Sequence, residues 1–261
     1  MTARSLSERR GVLAAISIAT VLLLWWLITA LQWVPPLFLP SPAQVGRKFL
    51  EVAGQGFMDA TLWQHLAASL QRIFLSLFAA ILIGVPLGMA MGLNTWVRGL
   101  IDPLVELYRP IPPLAYLPLL VIWFGIGETT KVLLIFLAIL APIIIATTHG
   151  MTVANGNRIR AVRSLGATRV QIIQTVILPA ALPNILTGVR IGLGAGWSTL
   201  VAAELVAAKR GLGYMVQSAA QFLVTDVVLL GIIVIAVIAV LIELSLRALQ
   251  KQLTPWYGKA E

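Results

Sequence analysis

Residues 11–31 read GVLAAISIATVLLLWWLITAL and carry no charge. A helix needs about 20 apolar residues to cross a hydrocarbon core, where every backbone N–H and C=O must be satisfied within the segment. Runs of this kind recur along the chain, so it has little freedom to fold as anything but an all-α integral membrane protein. Composition agrees. Of the 261 residues 59% are hydrophobic and 11% are charged, where a soluble domain carries roughly 25%. There is no cysteine, which excludes disulfides and thiolate metal sites. The net charge of +9 falls in short clusters between apolar runs. That pattern marks topology against an anionic leaflet rather than nucleic-acid binding, and no nucleic-acid partner is expected.

Six spans are expected: residues 11–31, 66–93, 104–124, 131–148, 185–208 and 227–249. Arg4, Arg9 and Arg10 precede the first. Arg98 lies in the 94–103 loop. Arg158, Arg160, Arg163 and Arg169 lie in the 149–184 loop, and Lys251 and Lys259 in the 250–261 tail. With six crossings all of these share one side, which places residues 1–10 and the C-terminus in the cytoplasm. Arg47, Lys48, Lys131, Lys209 and Arg210 fall on the other side, in or beside segments 32–65 and 209–226. The first span is too long for a signal-peptide core and lacks a small-x-small cleavage site, so it reads as a retained helix. Within 32–65, LPSPAQVGRKFLEVA predicts a short amphipathic helix on the outer membrane surface, with Val45, Phe49 and Val52 on one face.

Glycines four apart mark the second span (Gly84, Gly88, Gly92) and the fifth (Gly188, Gly192, Gly196). Such a stripe lets another backbone approach closely, either for plain packing or beside a path. Pro86 and Pro142 sit inside the second and fourth spans. The third holds Pro110, Pro112, Pro113 and Pro118, too many for a regular helix. Irregular backbone at membrane depth belongs against protein or a water-filled cavity, so this segment is expected to face the protein interior.

Ionisable residues near span ends are candidates by default. Glu106 and Arg109 are three apart and suited to pair; Arg72 is placed to snorkel; Arg190 and Glu204 lie toward opposite ends of the fifth span. Candidates to line a path are Glu106, Tyr108, Arg109, Pro112 and Tyr116, with Trp197 and Glu204. No catalytic constellation occurs: there is no P-loop, H-E-x-x-H or G-x-S-x-G, and the two histidines, His65 and His149, are far apart. The chain is not expected to be an enzyme, nor to hold a metal.

One feature remains, the basic stretch IRAVRSLGATRVQIIQTVILP, residues 159–179. A helix over 160–166 puts Ala161, Leu165 and Thr168 on one small apolar face, flanked by Arg160, Arg163 and Ser164. Gly166 ends or kinks it. A second helix over about 168–176 follows, stopped by Leu178-Pro179, with Pro183 opening the fifth span. Two short helices around a small-residue knuckle suit docking into a partner's cleft. The bland alternative is a loop resting on the anionic leaflet.

This segment resembles the cytoplasmic loop of permease subunits in ATP-binding-cassette importers, whose pattern is E-A-A, three residues, Gly, nine residues, Ile, one residue, Leu-Pro. Here Ala161, Gly166, Leu178 and Pro179 match at the family spacing; Arg160 stands at the glutamate and Val162 at the second alanine. The stretches PLFLPSPAQV, LWQHLAASLQRI, ELYRPIPPLAYLPLLVIWFGIGE, GVRIGLGAGWSTLVAAELVAAKRGLGYMVQSA and RALQKQLTPWYG extend the likeness to permeases of the taurine, aliphatic-sulfonate and nitrate group, most of all the taurine type. The resemblance implies a type I ABC importer permease fold and a homodimer in the bacterial inner membrane. It implies two cytoplasmic ATPase subunits that bind ATP and Mg, and a periplasmic substrate-binding protein. The coupling loop would use Arg160, Ala161, Arg163, Ser164, Leu165, Gly166, Ala167, Leu178 and Pro179. The chain itself would hold no cofactor, and a sulfonate would pass by alternating access. A rival class, an ion-coupled secondary transporter, would want internal repeats and paired charges at the midplane, and neither is evident.

Overall fold

A computed structural model describes residues 3–154 and 156–256. It contains eleven α-helices among the described residues: α1 (Ala3–Ala30), α2 (Pro42–Gly54), α3 (Leu62–Leu93), α4 (Thr95–Tyr108), α5 (Leu117–Phe124), α6 (Glu128–Thr152), α7 (Gly156–Ser164), α8 (Arg169–Ile172), α9 (Leu178–Ala207), α10 (Leu212–Gln221) and α11 (Thr225–Leu253). Five helical segments are long and apolar enough to cross a membrane, and the pair α4–α5 makes a sixth if it counts as one crossing. The chain divides into two units, Met1–Trp63 with Met215–Val234, and Gln64–Tyr214 with Ile235–Glu261.

In the first unit, α1 exposes most of its apolar side chains from Val12 onward. Beyond it the Trp25 indole N–H donates to the Pro40 carbonyl at 3.0 Å. Ser41 caps α2 through a reciprocal box with Gln44, as Ser followed by Pro at the helix start favours. Val45 and Val52 are buried. Phe49, expected on the same face, stays exposed, while α2 is tied into its unit through Lys48, which bonds Glu51 at 2.8 Å and approaches Asp226 at 3.6 Å, and the Thr225 hydroxyl donates to the Leu37 carbonyl.

The second unit is built around α6. Ile73, Leu77 and Ala80 of α3, Ile135, Ile139 and Ile143 of α6, and Val189, Leu193 and Leu200 of α9 form one buried cluster. Both glycine stripes face α6. A methyl added at Gly88 would lie 2.6 Å from Thr147 Cβ, and one at Gly92 2.5 Å from Met151 Cβ; one at Gly188 would lie 2.5 Å from Ala146 Cβ. In lipid, where apolar burial drives little between helices, this close approach supplies the packing that holds them. Of the two meanings a stripe can have, these serve packing.

The proline-rich third segment is broken as its composition requires. Helix α4, capped by Asn94 at its start, meets the Pro113–Phe124 piece at 89°. Helix therefore begins at Thr95, within the stretch expected as a loop, because Asn94 caps it, and it runs through Pro103 to end at Tyr108. Pro113 opens a 3-10 turn and Pro118 sits in the first turn of α5, where no intrahelical donor is lost. The expectation that this segment faces the protein interior holds on one side only. Leu117 and Leu120 are buried, while Ile122, Trp123 and Ile126 are exposed in this single chain.

Helix also runs where a stop was expected at Leu178-Pro179. From Arg169 the chain continues through a π turn at Ile173–Ile177 straight into α9, making one helical segment from Arg169 to Val206. The wider turn, in which the Leu178 N–H reaches back to the Ile173 carbonyl, adds a residue just where Pro179 withholds its donor.

Candidate functional site

The basic segment forms an exposed helical elbow before α9. Helix α7 ends at Ser164, and Gly166 turns the chain with φ +86°, a left-handed conformation natural to glycine. Thr168 then caps α8: its hydroxyl accepts from the Gln171 N–H, and the Gln171 side chain accepts from the Thr168 N–H at 2.8 Å. The inward face of α7, Ile159 and Val162, packs with Ala167 against Met151, Ile172, Ile177, Ala181 and Ile185. The outward face carries Arg160, Ala161, Arg163, Ser164 and Leu165, all exposed, with Leu165 at 86%. Arg160 bonds only its neighbour Asn157 among the described residues, at 2.5 Å. Leu165 is thus exposed on a turn that leads into a long helical segment, Arg169 to Val206. Leu178 and Pro179 lie inside that segment.

At the far end of α9 lies a second cluster. Arg72 of α3 is 4% exposed. Its guanidinium grips Glu128 at the start of α6 through two bonds, Nε to Oε2 at 2.6 Å and Nη2 to Oε1 at 2.8 Å. Its Nη1 donates to Glu204 Oε1 at 2.5 Å and to the Arg210 carbonyl at 2.7 Å. Lys131 also bonds Glu128, at 2.6 Å. Bidentate arginine contacts of this kind are among the strongest available in a low-dielectric setting.

Glu204, a path candidate from the sequence, is fully engaged. It accepts from Ser69 Oγ at 2.7 Å and from the Gly213 N–H at 2.8 Å as well as from Arg72. The 211–213 backbone is held along its length: the Gly211 N–H donates to His65 Nδ1 at 3.1 Å and the Leu212 N–H to Ser69 Oγ at 2.9 Å. A methyl at Gly211 would sit 2.4 Å from the Glu204 carboxyl carbon. Glu204 thus fastens a loop, because the glycines let the backbone close over its carboxylate. Arg72 does not snorkel, since two carboxylates hold it inside.

The other path candidates do not converge with Glu204. Tyr108 and Tyr116 stack with ring centres 5.7 Å apart across the α4–α5 bend around Pro112, and the Tyr108 hydroxyl donates to the Leu137 carbonyl. Tyr116 packs with Leu117, Leu120, Leu134 and Ala203. Glu106 and Arg109 line a cleft of about 290 Å³ with Arg98, Asp102 and His149, and they do not pair with each other. Arg109 stands past the last residue of α4, in the turn toward the prolines, while Asp102 lies 3.5 Å from Arg98. Trp197 packs against the central cluster, its indole N–H buried without a partner among the described residues. It lines a groove with Arg190, which bonds Glu243 at 2.5 Å and Gln250 at 2.9 Å.

Sequence reasoning missed Ser69, Glu128 and Lys131 as members of a network, and Ser76, which donates to the Val132 carbonyl of α6 at 2.9 Å. A signal was present. His65, Ser69, Arg72 and Ser76 stand at i, i+4, i+7 and i+11 of one helix, a polar stripe in an apolar span, and all four are buried.

With this geometry in hand, comparison with known proteins is informative. The family model for the binding-protein-dependent transport system inner membrane component matches residues 80–258. The taurine transport system permease protein TauC of Escherichia coli (strain K12) is 64% identical over 255 residues, covering 97% of this chain and 93% of that protein. The permease protein SsuC of the same organism, named for aliphatic sulfonates transport, is 36% identical over 236 residues, covering 90% of this chain and 88% of that one. In fold, a chain of the MetNI methionine ABC transporter in an inward-facing conformation superposes with a TM-score of 0.62 at 21% identity, over 76% of this chain and 100% of that chain. This chain belongs to the family of inner-membrane components of binding-protein-dependent transport systems, the permeases of ABC transporters, and has the type I importer permease fold.

Proposed function

We propose that this chain is the translocation subunit of an ATP-driven importer that moves taurine, or a related small sulfonate, across the bacterial inner membrane by alternating access. The observation that carries the reading is the 64% identity to a taurine permease over 97% of the chain. The SsuC likeness keeps other alkanesulfonates, and nitrate-like anions beyond them, as the second reading of the cargo. The chain is not itself an enzyme in this reading. Two copies assemble with two ATPase subunits, which bind ATP and Mg at the cytoplasmic face, and with a substrate-binding protein outside. Both termini are cytoplasmic, and α4–α5 counts as one bent crossing, for six in all. The arginine-rich elbow on the cytoplasmic side and the sparser cations opposite support this orientation.

The elbow supports an ATPase partner over ion coupling. Leu165, 86% exposed on a turn that leads into α9, suits docking into a partner's cleft. Gly166 holds φ +86°, and a methyl there would meet nothing within 4 Å, so Gly166→Pro, fixed near −65° and unable to donate to the Arg163 carbonyl, distorts the turn. The expected result is that an ATPase copurifies with the native chain in mild detergent, is lost with Gly166→Pro, and uptake stops. Copurification and uptake unchanged by Gly166→Pro would refute the coupling role.

A further inference from the structure

Beside the Arg72 network lies a cavity of about 760 Å³, within the usual range for small-molecule sites. Its polar lining is Gln71, Arg72, Glu128, Lys131, Lys209 and Arg210. The charges do not balance. Arg72 and Lys131 are matched by Glu128 and Glu204, but the side chains of Lys209 and Arg210 are exposed and have no ionic partner among the described residues. Lys131 is 2% exposed, yet its ammonium bonds only Glu128, so two of its three N–H donors have no partner among the described residues. A buried ammonium with spare donors, next to two free cations, is arranged to receive an oxyanion. Glu128 keeps its side chain 65% exposed, and its Oε2, which accepts only from Arg72 Nε while Oε1 takes both Arg72 Nη2 and Lys131, keeps one lone pair for a further donor at the cavity.

We propose that this cavity is a site for the transported zwitterion, with its sulfonate taken by Lys131, Lys209 and Arg210 and its ammonium by Glu128. The inference rests on the sulfonate-importer reading and names residues for it. A sulfonate is ionised at every physiological pH and carries three acceptor oxygens, so donors and positive charge are all it needs. Its ammonium needs one carboxylate. The walls supply both, with Leu75, Ile126 and Val206 as apolar surface for the short carbon chain. The cavity opens beside the 208–213 loop that Arg72 and Glu204 hold in place, so the network's task here is to position the loop's cations.

The test uses the full chain with its copurified ATPase in phosphatidylcholine nanodiscs, reading saturation-transfer NMR of taurine, ethanesulfonate and ethylamine, alongside uptake of labelled taurine by cells. The native protein is expected to bind taurine best, ethanesulfonate less and ethylamine least. Lys209→Ser with Arg210→Ser, both exposed and unpartnered, should weaken taurine binding at least fivefold and slow uptake. Binding and uptake unaffected by the double variant, or no binding by a native protein whose cells import taurine, would overturn the site while leaving the importer reading intact. A native signal abolished by adding phosphatidylglycerol would give the cavity to a lipid headgroup instead. Cells that import no sulfonate would defeat the importer reading, and the site with it.

Discussion

Arg72 is the one cation within the apolar stretch 66–93, and its worth comes from what surrounds it. Removing one member of a buried ion network leaves the others charged and unpaired, which costs about 3–5 kcal/mol, whereas replacing both partners with apolar groups is far less damaging. Arg72→Met is expected to destabilise the protein by roughly that amount, measured by unfolding in detergent. Adding Glu204→Met should recover a large part of the loss. If the double variant is as unstable as the sum of the single ones, the Arg72–Glu204 contact of 2.5 Å is not the coupling that matters. At this scale the sequence displayed the actors poorly. Arg72, Glu128 and Glu204 are distant in the chain, and nothing local to any of them names its partner. The i, i+4, i+7, i+11 polar stripe was readable, but its meaning depended on the loop that folds over it.

At the scale of elements, the local signals were strong. Gly166 marked the elbow, Asn94 capped α4, and the prolines at 110–113 broke the third segment. The glycine stripes were equally visible, though not what they face. Now that both are seen to face α6, a prediction follows from geometry. Gly88→Val places carbon 2.6 Å from Thr147 Cβ and 2.8 Å from the Ile144 carbonyl, atoms on a helix that cannot yield. Overpacking of this kind typically costs 1–3 kcal/mol or more. Thermal unfolding in detergent should fall clearly for Gly88→Val and hardly at all for Gly99→Val, where nothing lies within 4 Å. The helix stop misjudged at Pro179 has a simple cause: a π turn is a three-dimensional remedy for a missing donor, and composition does not announce it.

For the whole molecule, the number of crossings turns on the 89° bend of α4–α5. The chain has no cysteine, so single cysteines report position without background. Arg98→Cys lies in the first turn of α4 and Ile126→Cys just past the end of α5, and both native side chains are exposed. A membrane-impermeant maleimide is expected to label Ile126→Cys from outside intact cells and Arg98→Cys only in inverted vesicles. Labelling of both from one side would make the pair re-entrant and leave five crossings.

By itself the sequence determined that this is a helical membrane protein, roughly where its spans run, and that a basic elbow interrupts them. Each of these is written in neighbouring residues: apolar length matched to the bilayer, proline and glycine limits on φ, and charge clusters beside apolar runs. Only the tertiary structure decided that α6 is the shared packing partner of both glycine stripes. Only it showed that Glu204 and Arg72 clamp the 208–213 loop, and that Lys131 and the loop's cations surround one cavity. Those facts are contacts between residues about 40 to 140 positions apart. Local periodicity carries no record of such contacts; they arise when close-packed helices leave each buried charge only a few places to find its counterpart.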